Sequence, residues 1–293
     1  IRRLRELGYA IRMGEAACAS DRRMGVPSSA VLAAARERAL EHGADAELVA
    51  GMGDGYTGFW ADLDCGPGPV TAFRFDMDCN EVAECAEESH RPVREGFASR
   101  WPGLMHACGH DGHAAVGLGL AEVLVSIRRH LRGRIRLIFQ PAEEGARGAL
   151  PMSEAGAVDG VDVLFGFHIG FKAEGPGSLI CGTQGFLATT KRDVLFSGVP
   201  AHAGAAPEEG KDALLAACSA VVNLHAISRN GKGGTRIAVG RLEGGEARNV
   251  IPASARLFME TRGETTELDA YMTAESERIL RASADLWGCA CEW

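Results

Sequence analysis

Four side chains that can bind a metal ion lie within eight residues near the middle of the chain: His106, Cys108, His110 and His113. A thiol and imidazoles separated by two or three residues suit a borderline-soft divalent ion such as Zn²⁺. An apolar run follows, which predicts a loop opening into a helix whose N-terminus favours a thiolate. The chain has no Cys-x-x-Cys pair, so an open, catalytic site is favoured over a closed structural one.

Two adjacent carboxylates follow a strong strand pattern. The strand leads into Gln140-Pro141-Ala142-Glu143-Glu144-Gly145. Open α/β sheets place their ligands at the carboxyl ends of their strands. Because neighbouring residues do not easily point the same way, the economical interpretation is one metal ligand and one general base. A solvated surface pair is the alternative.

Two more predicted strands end in residues that could belong to the same site. His168 ends a strand in Phe165-Gly166-Phe167-His168, although a single histidine among aromatic residues is often a core residue. Asp78 ends Phe75-Asp76-Met77-Asp78 and could orient a ligating imidazole or be an ordinary turn residue. Together, consecutive segments at strand ends predict one shared metal site.

The elements that must position these groups alternate between helix and strand, which predicts an α/β fold. Residues 1–50 are predicted to be helical. The strands at 56–63 and 70–75 are predicted to form a hairpin, because a turn-rich segment joins them. The other predicted helices are 114–130, 146–155, 211–228 and 265–286, and the other predicted strands are 134–139, 161–167, 187–197, 235–242 and 253–261.

The pattern starts afresh after Gly182, and we place a domain boundary near Gly185. Strand, helix, strand, strand and helix form most of a ferredoxin-like β-α-β-β-α-β unit, whose final strand is expected at the end of the chain. Upstream, Gly53 to Gly58 matches G-x-G-x-x-G, but no strand clearly precedes it and no helix follows. A dinucleotide site is therefore the weaker interpretation of that motif.

Composition excludes several classes of partner. The net charge of −8 leaves no basic surplus to neutralise nucleic-acid phosphates. No apolar run approaches the roughly 18 residues that span a bilayer, and no signal peptide is visible. Nine cysteines are scattered without a framework pattern, so we expect reduced thiols and a cytoplasmic location.

The motifs, in order, resemble the amidohydrolase branch of the aminoacylase/glutamate-carboxypeptidase metallopeptidases. The resemblance covers essentially the whole chain and rests on 75–78, 108–113, 140–145, His168, 198–204 and 248–252. Within that family, the amino-acid sequences of 89–92, 96–99 and 258–263 are most similar to those of the subgroup that hydrolyses p-aminobenzoyl-glutamate. The implied fold is a mixed-sheet α/β catalytic domain over 1–185 with an inserted ferredoxin-like α+β lid and dimerisation domain over 186–293.

The resemblance also implies roles for individual residues. It implies two divalent ions, Zn²⁺ or Mn²⁺, with Cys108 as the bridging thiolate and His110, Glu144 and His168 as further ligands. Glu143 is expected to be the general base and Asp78 to support the ligands.

Three further roles fall in the second domain. His202 is expected to polarise the scissile carbonyl of an N-acyl or N-aroyl amino acid, and Asn249 to hold the carboxylate of that substrate. Arg262 is a further candidate for the carboxylate, although it could equally be an exposed strand residue.

Some expectations stay open at this level. Family members carry a last metal-binding histidine beyond the lid, and no histidine follows His225 here, so we expect a longer natural protein. The alternatives are a different N-acyl-amino-acid or hippurate-type amidohydrolase and a non-catalytic subunit that needs a homologous partner. The resemblance implies either a homodimer or a heteromer with a homologous subunit, formed through the lid domain.

Overall fold

The structure is a computed structural model that describes residues 1–170, 175 and 177–293. The chain divides into two compact units, Ile1–Leu179 and Ile180–Trp293, and each is described by itself. The assignment of 1–185 as catalytic domain and 186–293 as lid and dimerisation domain stays a prediction.

The first unit is a mixed α/β structure, as predicted. Its helices are α1 (Arg2–Glu6), α2 (Ser29–Glu41), α3 (Ala46–Gly51), α4 (Arg91–Arg94), α5 (His110–Ser126) and α6 (Ala149–Glu154), with short 3₁₀ turns at Gly14–Ala17, Ser20–Arg22 and Arg128–His130. Its strands are β1 (Ala10–Met13), β2 (Phe59–Asp64), β3 (Val70–Asp76), β4 (Arg134–Gln140) and β5 (Val163–Gly166).

These strands form one sheet in the order β1-β2-β4-β3-β5. Strands β4, β3 and β5 run parallel, whereas β1 and β2 pair antiparallel. One face buries Phe75 and Leu137 against Leu124 of α5, and the other packs Trp60 and Ile138 with Met152 of α6. The three parallel strands therefore end at one edge of a sheet that is covered on both faces.

The predicted hairpin between the second and third strands is wrong. Strands β2 and β3 do not pair with each other, because β4 lies between them and pairs with both. The connecting segment instead packs on the start of β4: Cys65 N–H donates to the Gly133 carbonyl at 2.8 Å, and Arg134 N–H donates to the Pro69 carbonyl at 3.0 Å. A long-range parallel pairing has replaced the local antiparallel one.

Two other predictions for the first unit have different outcomes. The helical reading of residues 1–50 is wrong at Ala10–Met13, which forms the edge strand β1 against β2. A four-residue strand with one neighbour is defined by that neighbour more than by its own pattern. The segment Gly53 to Gly58 lies between α3 and β2, so a helix precedes it, a strand follows, and the dinucleotide context is missing.

The second unit has the predicted ferredoxin-like order. It contains β6 (Ala188–Ser197), a 3₁₀ turn at Pro207–Glu209, α7 (Ala213–His225), β7 (Thr235–Gly244), β8 (Ser254–Gly263), α8 (Thr266–Leu286) and β9 (Ala290–Glu292). The antiparallel sheet has the order β7-β8-β6-β9. Phe196 and Leu257 pack against Leu224 of α7 and Met272 of α8, so both helices cover one face.

Capping residues explain where the two long helices of this unit begin. Asp212 accepts a hydrogen bond from the Leu215 N–H at 2.9 Å, and Thr265 accepts one from the Leu268 N–H at 3.3 Å. All nine cysteines are free thiols, as expected. Within the described part of the chain, none of the helices has both the length and the apolarity needed to cross a bilayer.

Candidate metal centre

The carboxyl ends of β3, β4 and β5 bring the predicted metal ligands together. Three groups of side chains each have ligand atoms within 4.8 Å of one another: Cys108, His110 and His168; His110, Glu143 and Glu144; and Asp76, His110 and His113. His110 belongs to all three groups. The parallel strands produce this convergence, because their ends meet at the same edge of the sheet.

His110 is the buried centre of the cluster. Gly109 precedes it with φ 85°, a left-handed conformation that turns the chain into α5. Nδ1–H donates to the Asp78 carbonyl at 3.0 Å, which leaves the lone pair on Nε2. Nε2 is buried and has no hydrogen-bond partner among the described residues, with Glu143 Oε2 at 3.8 Å and Glu144 Oε1 at 3.9 Å. A cation between these atoms would satisfy all three.

Cys108 contradicts one expectation about the motif. The helix N-terminus was expected to favour a thiolate, but burial raises the pKa of the Cys108 thiol to about 11, helped by a hydrogen bond and the negative charge of Glu144. Burial and the nearby carboxylates both disfavour ionisation of this thiol. Sγ lies 3.3 Å from Nε2 of His168. A bound divalent ion would supply the opposing charge that makes this sulfur a ligand.

His168 presents the same ring atom to the centre as His110 does. Its Nδ1–H donates to the Ile169 carbonyl at 2.7 Å, which directs Nε2 towards Cys108. The donor set is thus one thiol, two imidazole Nε2 atoms and two carboxylates, a chemistry that suits Zn²⁺ and related divalent ions. The residues present fit such ions.

The expectation that Glu143 and Glu144 point apart is wrong. Both carboxylates reach within 4 Å of Nε2 of His110. The turn that carries them is unusual, because Ala142 and Ala146 on either side have φ 52° and 53°. Left-handed conformations cost a non-glycine residue about 1–3 kcal/mol, so the rest of the turn must hold them in place.

Backbone contacts close this turn tightly. The Ala142 carbonyl accepts from the N–H groups of Arg147 at 3.0 Å and Gly148 at 3.2 Å, and Glu143 O accepts from Ala146 N–H at 2.7 Å. A Cβ at Gly148 would lie 1.7 Å from the Pro141 carbonyl oxygen. Only glycine fits at position 148, and the closed turn presents both carboxylates on one side.

Asp78 contacts two of the predicted ligands. Its Oδ2 accepts from the Glu144 N–H at 3.0 Å, and its Oδ1 lies 3.3 Å from Nδ1 of His110. Its main-chain carbonyl also fixes the tautomer of His110. These contacts agree with the predicted supporting position, although the role itself stays a prediction.

Asp76 and His113 form a second, fully buried pair behind the ligands. Nδ1–H of His113 donates to Asp76, and Arg74 donates to the same carboxylate at 2.6 Å. Burial alone would raise the pKa of Asp76, but the hydrogen bond from His113 and the charge of Arg74 lower it overall. Nε2 of His113 accepts from the Ile169 N–H at 2.8 Å, so both ring nitrogens are engaged. His106, by contrast, is exposed and outside the three groups.

Asn80 is a contributor that reasoning from the sequence missed. Its amide Nδ2–H donates to Glu144 Oε1 at 2.7 Å, and its Oδ1 accepts from the Ala107 N–H at 3.1 Å. It also forms an isolated backbone bridge with Met105. The available signal was its position two residues after Asp78, at the end of a strand that already carried site residues.

The second unit holds the other predicted residues, all of them exposed. His202 forms a bridge with Val250, and the Ala203 N–H donates to the Asn249 carbonyl at 3.0 Å, so His202 and Asn249 lie on adjacent backbone segments. Arg262 lies on β8, and its Nε–H donates to Glu260 at 2.7 Å. The hydrogen bond with Glu260 raises the pKa of Arg262, which stays a cation. The substrate-binding roles of these residues stay predictions.

A mixed sheet with thiol, imidazole and carboxylate groups at its strand ends, in a chain that also carries a ferredoxin-like unit, defines a metallopeptidase-like protein. The family model described as Peptidase family M20/M25/M40 matches residues 72–283, and the chain belongs to this family. The resemblance noted from the motifs is thereby confirmed.

Two curated relatives match nearly the whole chain. Indole-3-acetyl-aspartic acid hydrolase of Enterobacter agglomerans is 48% identical over 290 residues. One of the subunits of the p-aminobenzoyl-glutamate hydrolase of Escherichia coli K12 is 47% identical over 290 residues. Each alignment covers 99% of this chain and 66% of the relative, so the chain spans just under two thirds of their length.

Two solved structures are similar to the chain. The aminobenzoyl-glutamate utilization protein of Klebsiella pneumoniae aligns with a TM-score of 0.81 at 41% identity, covering 99% of this chain and 67% of the other. A Bacillus subtilis protein described as a dinuclear metal binding peptidase of the M20 family aligns with a TM-score of 0.55 at 25% identity, covering 99% of this chain and 64% of the other.

Proposed function

We propose that the protein is a metal-dependent hydrolase that cleaves the amide bond of an N-acyl or N-aroyl amino acid. The observation that carries the proposal is the buried lone pair of His110 Nε2, which faces two carboxylates with no hydrogen-bond partner among the described residues. The convergence of Cys108 and His168 on the same centre supports it. Such a donor set is suited to a hydrolytic metal site.

The favoured substrate is p-aminobenzoyl-glutamate. The names of the two curated relatives indicate a common substrate chemistry: an aromatic acyl group joined through an amide to an acidic amino acid. Indole-3-acetyl-aspartate is the second candidate, because the relative named for its hydrolysis is as similar to this chain as the other.

Cys108, as a thiolate, and His110, Glu144 and His168 are proposed as the residues that would hold two divalent ions, Zn²⁺ or Mn²⁺. The Bacillus subtilis structure described as dinuclear supports the number of ions. Bound ions would polarise the scissile carbonyl and make water easier to deprotonate. Asp78 orients His110 and Glu144 through the contacts described above.

Glu143 is the proposed general base. Its side chain is 38% exposed, so water and substrate can reach a carboxylate whose other side faces His110. It takes the proton from the attacking water and then delivers it to the nitrogen of the leaving amino acid. The Glu144 carboxylate accepts from Asn80, and its main-chain N–H donates to Asp78. These bonds hold Glu144 in a ligand's position and leave Glu143 as the residue that moves a proton.

The second unit is proposed to contribute to substrate binding and assembly. His202 is proposed to polarise the scissile carbonyl, while Asn249 and Arg262 bind the substrate carboxylate. We further propose a lid and dimerisation role for this unit, in a homodimer or in a heteromer with a homologous subunit. The Escherichia coli relative, whose name describes it as one subunit of its enzyme, supports an assembly. The nine free thiols support the proposed cytoplasmic location.

The test uses the full-length protein loaded with Zn²⁺ or Mn²⁺ and a panel that includes p-aminobenzoyl-glutamate, indole-3-acetyl-aspartate and hippurate, with release of the amine followed by chromatography. Glu143→Ala is expected to lower turnover by about 10²–10⁴-fold while metal content is unchanged. Glu154→Ala, an exposed carboxylate at the end of α6, is the matched control and should keep full activity. Absence of both metal and hydrolysis in the parent protein would refute the proposal.

A further inference from the structure

Among the described residues, the segment that carries His168 is supported by one neighbouring strand. Strand β5 pairs with β3 on one side, and no second neighbour for it exists among the described residues. Val163, Leu164 and Phe165 are about half exposed, at 47%, 50% and 53%. A second described contact of this segment therefore bears on where a ligand at its end lies.

That contact comes from the first turn of α5. The main-chain N–H of Ile169, the residue after His168, donates to Nε2 of His113 at 2.8 Å. The ring of His113 also lies edge-on to the rings of His168 at 4.6 Å and Phe167 at 5.1 Å between centroids. Ile169 also packs closely on Gly112 of α5, because a Cβ at that glycine would lie 2.6 Å from Cδ1 of Ile169. The segment is therefore docked on α5 at His113.

The orientation of His113 is set from its other side. Nδ1–H donates to Asp76, which accepts from Arg74 as well. A buried carboxylate that accepts from Nδ1–H keeps the proton there and leaves Nε2 as an acceptor. The neutral tautomer with the proton on Nδ1 is the form that can accept from the Ile169 N–H.

We propose that His113 is a positioning residue that holds the His168 segment against α5, in a tautomer imposed by Asp76. The proposal rests on the proposed function, in which His168 binds metal. His113 itself makes no contact with the ion, because both of its ring nitrogens are engaged by protein atoms. Its effect on metal binding passes through the placement of Nε2 of His168.

Two substitutions separate the two halves of this arrangement. His113→Asn keeps an N–H donor near the position of Nδ1 for Asp76 but removes the acceptor for Ile169. His113→Gln keeps an acceptor near the position of Nε2 but removes the donor for Asp76. His225→Asn, an exposed histidine at the end of α7, is the matched control.

Zinc affinity of the full-length protein is measured by competition with a chromophoric chelator, together with the Co²⁺ absorption spectrum and the urea midpoint of the metal-free protein. His113→Asn is expected to weaken zinc binding by about 10–100-fold and to shift the Co²⁺ bands. His113→Gln is expected to have the smaller effect on zinc affinity and the larger effect on the urea midpoint. Zinc affinities within about threefold of the parent for both variants would overturn the proposal.

A measurement on the unsubstituted protein keeps the test decisive if a variant does not fold. The Ile169 amide of the metal-free protein is expected to exchange slowly with deuterium, because it is bonded to His113. Exchange at the rate of an unprotected amide would contradict the proposal. If the parent binds zinc and hydrolyses substrate while the variants behave like the parent, this inference fails and the proposed function stands. If the parent binds no zinc, the proposed function fails first.

Discussion

The first unit buries the histidines behind and at the centre of its candidate site, whereas the second unit exposes its candidate residues. His110 and His113 have no exposed side-chain surface, and each has a ring nitrogen hydrogen-bonded to a segment more than 30 residues away. His202, Asn249 and Arg262 lie on the surface and are held by neighbouring backbone or by Glu260. Metal ligands need fixed, partly desolvated positions, while residues that meet a substrate must stay accessible.

This difference predicts that, of the two described units, the first contributes to metal affinity and the second does not. It also predicts that residues of the second unit affect turnover and leave metal content unchanged.

The largest effect is expected from His110→Ala, because His110 belongs to all three ligand groups. Zinc affinity should fall by more than about 100-fold, beyond the range for a supporting residue, and hydrolysis should be lost. Zinc content is measured after gel filtration, with circular dichroism to confirm folding. His106→Ala, an exposed histidine of the same motif, should bind zinc normally. A full complement of zinc in the His110 variant would contradict the site.

A large effect on turnover alone is expected from His202→Ala. If His202 stabilises charge on the scissile carbonyl, kcat should fall by about 10²–10³-fold. Zinc content should equal that of the parent, because His202 lies outside the ligand groups. His225→Ala in the same unit serves as control. Loss of zinc from the His202 variant would contradict the proposal that the first unit binds metal and the second affects turnover only.

A smaller effect is expected from Asn80→Ala, which removes the hydrogen bonds to Glu144 and to the Ala107 N–H. Zinc affinity should fall by about tenfold, the lower end of the range for groups that orient a ligand. Asn223→Ala is the matched control, since that exposed amide donates to the Ser219 carbonyl at 2.8 Å. Equal affinities in the two variants would show that Glu144 needs no support from Asn80.

The smallest effect concerns alkaline stability of the second unit. Burial raises the pKa of Cys291 from 9.0 to about 11, so the folded state retains a thiol proton that the unfolded chain has lost. The free energy of unfolding should therefore decrease as pH rises from about 9 to about 11. Cys291→Ala should reduce this loss in urea titrations of the metal-free protein, and Cys218→Ala, an exposed cysteine of α7, should not. An unchanged pH dependence in Cys291→Ala would contradict the assignment.

Strong local patterns predicted much of the fold. The helices α5, α7 and α8 and the strand β4 were predicted from apolar runs of suitable length and their flanking residues, and the order of elements after Gly182 predicted the ferredoxin-like unit. Predictions failed where a neighbour decided the outcome: β1 is a strand because β2 pairs with it, and β2 and β3 are separated because β4 enters between them. Pairing partners distant in sequence leave little trace in a local pattern.

The site was predicted more completely in its members than in its geometry. Residue types and strand ends predicted a shared metal site, and the family resemblance implied Cys108, His110, Glu144 and His168 as its ligands; the structure brings these side chains together. The common direction of Glu143 and Glu144 was not predicted, because it depends on the left-handed backbone conformation of two alanines. Alanine does not favour that conformation, so the residue type gives no signal of it. The pKa of Cys108 is raised against expectation, because burial first and the nearby Glu144 second disfavour the thiolate.

The sequence by itself determined which chemical groups are available: a thiol, several imidazoles and a carboxylate pair, each near the end of an element. Only the tertiary structure decided which imidazole has a free lone pair. His110 and His113 lie three residues apart in one helix, yet Nε2 of His110 has no described hydrogen-bond partner whereas Nε2 of His113 accepts from Ile169. The role of a ring nitrogen depends on its hydrogen-bond partner. The partner of His110 Nδ1 lies 32 residues away along the chain, and the partner of His113 Nε2 lies 56 residues away.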